Sequence, residues 1–173
     1  MSVVSDFRLA TSFDSDRAND TGQFVGRSVY SKLYFLENAF RVIIHSILSV
    51  QINPGWWEIA VGADMRKDVQ KVRDEYLSSP QSNPGKHIIY YVYLWQLGEI
   101  IRSNSNQFSR LIPDIDRWVI NIERVRWPRN IVGHMNFPNK RDRELIDKMY
   151  VECRALVRAL QDSKQLDLIV PRV

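Results

Sequence analysis

At 173 residues, 45 % of them hydrophobic and 25 % charged, the chain is long enough to bury a core in one domain, and its balance is that of a globular protein, not of a disordered chain. The formal charge of +4 is unevenly spread: residues 1–26 set Arg8 and Arg17 against four aspartates, whereas residues 117–143 set seven basic side chains against Glu123 and Asp142. A lone Cys153 rules out an internal disulfide, and three dispersed histidines speak against a zinc site.

No apolar run approaches the ~20 residues of a membrane helix, and the acidic start lacks the basic region of a signal peptide. A cytosolic protein with no membrane partner is the expectation. In chain order, residues 1–26 show no periodicity and read as a flexible arm, with regular structure from about Arg27. Val29, Leu33, Leu36, Phe40, Ile43 and Ile47 then recur in steps of four and three, which keeps one helical face apolar. Asn53, Pro54 and Gly55 end that helix. A second helix is expected from Trp56 and Trp57 through the stripe Met65, Val69, Val72 and Tyr76, with the tryptophan pair as a packing anchor.

The stretch SSPQSNPGK is a loop by composition. HIIYYVYLWQLGEIIRSN suits a buried helix or a strand, and its helical neighbours favour helix. Leu111, Ile115, Trp118, Ile122 and Val125 mark a further helix, entered near Pro113. Leu145, Met149, Cys153, Leu156 and Leu160 mark the last, over about 140 to 161, with Cys153 as inert core. Residues 163–173 form a tail with no evident partner. The expected fold is all-α, an up-and-down antiparallel bundle of four to five helices over residues 27–162.

The basic segment contains WPRNIVGHMNF, residues 127 to 137. Arg129 and His134 lie five apart, about 140° on an ideal helix, so they share a site only if the chain turns between them. Gly133 suits a left-handed helix end, and Pro128 a kink at Arg129, bracketing a short turn. Arginine offers a planar fork to a phosphate, and an imidazole moves protons near neutral pH. That pair suits phosphodiester cleavage without a metal or other cofactor.

RNIVGH resembles the R-N-x3-H motif of the HEPN superfamily, and LENAFRVIIHSIL resembles the first helix of its Swt-type branch. NPGWWEIAVGADMRKDVQKVRDEY is similar to that branch's tryptophan-pair segment, so the resemblance covers about residues 29 to 160. It implies a helical bundle that dimerises and brings two motifs into one metal-independent endoribonuclease cleft, in proteins that serve as toxins, phage-defence effectors or RNA-processing modules. Carried over, Arg129 and His134 become the catalytic candidates, with Asn130 beside them. Pro128, in place of an aliphatic residue, and Asn136, in place of the tyrosine of nucleotidylated members, depart from the pattern.

Glu37 and Arg41 form an i,i+4 pair, and a buried Glu37 could brace Arg129. With Gly133 they are the supporting set. Arg124, Arg126, Trp127, Lys140, Arg141 and Arg143 are the RNA-binding candidates, Trp127 as a stacking surface. Expected partners are an RNA substrate, a second copy of the chain and an antitoxin or inhibitor protein. The alternatives are a catalytically silent HEPN module that binds RNA or a protein, and a helical interaction domain in which the Arg-His pair only caps a helix.

Overall fold

The computed structural model describes residues 5–172, and the fold is all-α, with no strand among the described residues. Helices α1 (Ser15–Val25) and α2 (Ser31–Gln51) are joined without a break by a π-helical turn, Gly26–Tyr30. Short α3 (Trp56–Ala60) leads to α4 (Ala63–Ser78), and α5 (Leu94–Ser103) to a single turn, α6 (Ser105–Phe108). Two long helices, α7 (Ile115–Gly133) and α8 (Lys140–Ser163), complete the chain.

The bundle is a ring of four: α2 packs on α5 and α8, and α7 packs on the same two helices from the other side. The stripe read from the sequence supplies the α2 contribution, with Leu36, Phe40, Ile43 and Ile47 at most 2 % exposed. Helix α8 contributes Ile146, Met149, Cys153 and Leu160. It starts on a capping box: Asn139 accepts from the Asp142 N–H, and Asp142 accepts from the Asn139 N–H, each at 3.0 Å. Burial pushes the Cys153 thiol up to about 12, which keeps it an inert core residue at neutral pH. Helices α5 and α7 approach at Gly98, where an added Cβ would stand 3.2 Å from Cγ2 of Ile122.

Four expectations are corrected. Residues 5–26 are not irregular: a 3₁₀ turn spans Phe7–Leu9, and α1 starts on Asp14, whose carboxylate accepts from the N–H groups of Asp16 and Arg17. The continuous helix Ser15–Gln51 that results also includes an 18-residue window of mean hydropathy 1.3, enough by length and composition to cross a membrane, with 44 % of it buried inside the bundle.

The expected second helix is two, parted at Val61 and Gly62. Residues 88–93 do not begin α5; they form a 3₁₀ turn, Ile88–Tyr91, followed by two extended residues. Arg41 holds this turn by donating to the carbonyls of Ile89 and Val92, and Tyr91 by donating to that of Gly85. The C-terminal tail does have partners. The Ile169 N–H donates to Oγ of Ser46 at 2.8 Å, Tyr90 donates to the Pro171 carbonyl at 2.8 Å, and the His87 N–H donates to the Arg172 carbonyl at 3.2 Å.

Candidate functional site

The α2 face beside the buried stripe carries Tyr34, Glu37 and Arg41, with Tyr30 of the π-helical turn one step before them. Helix α7 lays Arg129 and Gly133 against it, and Tyr90 and Val170 close the far side of a cleft of about 780 Å³. Glu37 is the pivot. One carboxylate oxygen accepts from Nη2 of Arg41 at 2.6 Å and the other from Nε of Arg129 at 3.3 Å.

The Glu37 and Arg41 side chains are 14 % and 12 % exposed, so this pair is well withdrawn from water, whereas Arg129 is 33 % exposed. Arg41 is fully committed to Glu37, Asn38 and two carbonyls. Arg129 is engaged through Nε alone among the described residues. Its two terminal amino groups remain available at the cleft beside Gly133, where an added Cβ would lie 3.4 Å from Nη1, an ordinary contact distance. With one carboxylate and two guanidinium groups lining it, the cleft is net positive and suited to an anion. Burial raises the Tyr90 phenol, and the Arg41 charge works against that rise.

The motif turn differs from its expected shape. Helix α7 runs straight through Pro128, which is buried, to Gly133, which keeps helical geometry. The residue that turns left-handed is Met135, at φ 58°. The Met135 N–H donates to the Val132 carbonyl and the Asn136 N–H to the Ile131 carbonyl, both at 2.9 Å, a Schellman arrangement with methionine where glycine is usual. His134 is the C-terminal cap residue; its N–H bonds the Asn130 carbonyl at 3.0 Å, and its exposed imidazole does not line the cleft. The structure thus gathers Glu37, Arg41, Arg129 and Gly133 and leaves His134 and Asn130 outside that cleft.

The RNA-binding candidates divide in the same way. Arg124, Arg126 and Trp127 are exposed on α7, and Lys140 and Arg141 are exposed at the start of α8. Arg143 is instead half-buried, donating to the Pro138 carbonyl at 2.7 Å and lying over the rings of Phe24 and Phe137. It fastens α1 to the motif loop and so has a structural role of its own. The sequence reading missed Tyr30, Tyr34 and Tyr90 in the cleft, though the α2 pair was visible as the polar counterpart of the apolar stripe. It also missed Arg8, whose Nη1 donates to Oδ1 of Asn136 at 2.7 Å.

The other two histidines pack together: His45 accepts from Nε1 of Trp56 at 3.2 Å, and the His45 and His87 ring centroids are 4.6 Å apart. Comparison of the chain with protein-family models, with curated proteins and with solved structures finds no match in any of the three. Its class is therefore defined by its own geometry, an all-α bundle with a cationic, tyrosine-lined cleft between α2 and α7.

Proposed function

We propose that the protein is a metal-independent endoribonuclease of the HEPN type, acting in the cytosol as a toxin or phage-defence effector under the control of an inhibitor protein. The observation that carries this reading is the Glu37 bridge: one carboxylate locks Arg41 and aims Arg129 with its terminal amino groups free at a positive cleft. That is an arrangement for holding a phosphodiester through a guanidinium fork. The resemblance of RNIVGH and LENAFRVIIHSIL to the HEPN motif and first helix supports the choice of RNA.

In the proposed reaction the ribose 2′-OH gives its proton to one His134 imidazole as O2′ bonds to phosphorus. The P–O5′ bond breaks, and the leaving O5′ takes a proton from a second, protonated His134. Arg129 stabilises the charge that gathers on the phosphoryl oxygens. Because His134 stands outside its own chain's cleft, the reaction requires a homodimer in which the two motifs face each other across a two-fold axis.

The same exposed position of His134 is what favours the alternative, a HEPN module that binds RNA or protein without cleaving it. RNA incubated with the protein in excess chelator tests the proposal. It expects fragments ending in a 2′,3′-cyclic phosphate with 5′-hydroxyl partners, and loss of cleavage in Arg129→Ala and His134→Ala. Full activity of His134→Ala, or cleavage at a 2′-deoxy position, overturns it.

A further inference from the structure

On α7 the exposed face away from the Glu37 cleft carries two indole rings that share one cation. The Arg126 guanidinium lies 5.5 Å from the Trp127 ring centroid and 5.8 Å from that of Trp95, which α5 contributes. Trp127 is 68 % exposed and Trp95 42 %, so both rings keep area open to a ligand beside the guanidinium. A solvent-facing tryptophan pair normally leaves apolar area in water to no benefit; a planar cation between two indoles keeps both rings upright and flat-sided.

The surrounding charge selects the ligand. Arg117 and Arg124 are exposed on the same helix with no acidic partner among the described residues, while the nearby carboxylates of Glu99 and Glu123 share the Arg102 guanidinium, at 2.8 and 2.6 Å, which with Arg126 leaves four arginines against two glutamates. Flat aromatic faces set among free arginines match a chain of bases on a polyanionic backbone. They do not match a duplex, whose bases are already stacked on one another.

We propose that Trp95, Arg126 and Trp127 form a stacking site for unpaired nucleobases, so that the protein takes hold of single-stranded RNA on this face of α7. This rests on the reading of the protein as one that acts on RNA and adds what that reading lacks, a preference for unpaired segments. The helix geometry links the two sites. His134 follows Trp127 by seven residues, which puts both on one helical face about 10 Å apart along the axis, the rise of about three stacked nucleotides.

The test uses a labelled single-stranded oligodeoxynucleotide, which stacks but offers no 2′-OH to be cut, alongside the same sequence as a duplex. Fluorescence anisotropy is expected to show about a tenfold loss of single-strand affinity in Trp127→Ala, a smaller loss in Trp95→Ala, most of the affinity kept in Trp127→Phe, and unchanged duplex affinity. Circular dichroism melting confirms that each variant is folded. Single-strand affinity in folded Trp127→Ala equal to that of the wild type overturns the proposal, as does a Trp127→Ala protein that turns monomeric while its affinity stays the same, because the patch is then a protein interface. Cleavage is assayed separately: a protein that cuts RNA but ignores Trp127→Ala loses this inference alone, and one that binds through Trp127 but cuts nothing loses the nuclease alone.

Discussion

At the scale of single residues, Glu37 and Met135 carry opposite lessons. Glu37 bridges two guanidinium groups that would otherwise face each other from α2 and α7, so Glu37→Gln removes the one negative charge between them. Such a change in a largely buried pair is expected to lower stability by about 1–3 kcal/mol, read by urea unfolding, and to release Arg129, so RNA cleavage falls even where the protein remains folded. Unaltered cleavage would mean that Arg129 needs no brace. Met135 sits left-handed at φ 58° with its side chain 90 % exposed, so it bears a backbone cost and packs on nothing. Met135→Gly relieves that cost, partly offset by a freer unfolded chain, and is expected to raise stability by about 0.5–1 kcal/mol. The sequence placed the left-handed residue at Gly133, and nothing in its pattern could have moved it to Met135. Gly133 stays helical as the last residue of α7, and the left-handed turn falls two residues later.

At the scale of elements, helices with a long apolar stripe were legible and the short, tied-down ones were not. Helices α2 and α8 follow their stripes almost residue for residue, because burial of one face outweighs every local preference along them. Residues 88–93 defeat the same reasoning: their β-branched and aromatic side chains are apolar, but their backbone is claimed by polar side chains, with Arg41 donating to the Ile89 and Val92 carbonyls, the Ile89 N–H donating to Nδ1 of His87 and the Tyr93 N–H to Oε1 of Gln96. Helix α1 has a signal of its own in Asp14 as an N-cap with Asp16 in the first turn, which apolar periodicity does not detect because its apolar residues are sparse. Beside the tail, the His87 imidazole makes stability depend on pH. Burial first, then the His45 imidazole and the Arg73 guanidinium, holds His87 down at about 4, against 6.5 for the free side chain. Between those values the unfolded chain binds the proton that the folded one refuses, so stability is complete above pH 6.5 and declines as pH falls toward 4. Urea midpoints across that window should fall in the wild type and flatten in His87→Gln; parallel curves would show that another group controls acid sensitivity.

At the scale of the whole molecule, the N-terminal segment belongs to the site as much as to the fold. Thr21 is buried, with its one hydroxyl proton shared between the carbonyls of Ser5 and Arg17, Phe24 stacks on Phe137 with centroids 5.9 Å apart, and Arg8 reaches Asn136, whose side chain in turn donates to the His134 carbonyl at 3.1 Å. Sequence periodicity alone would make residues 1–26 dispensable. The contacts argue the reverse, because removing them bares Phe137 and leaves Arg143 without the ring of Phe24. Deletion of residues 1–26 is therefore expected to lower the melting temperature, by about 2–4 °C for each kcal/mol lost in a chain of this size. Arg8→Ala separates fold from site: Arg8 is exposed, so the melting temperature should hold, while the loop from His134 to Pro138 loses the hydrogen bond that Arg8 gives Asn136 and keeps the Phe24–Phe137 stack. If that tie sets the position of His134, Arg8→Ala lowers the rate of RNA cleavage with little change in RNA affinity. A deletion variant that melts with the full chain, together with an Arg8→Ala variant that cleaves normally, would return the segment to the role of a loose arm.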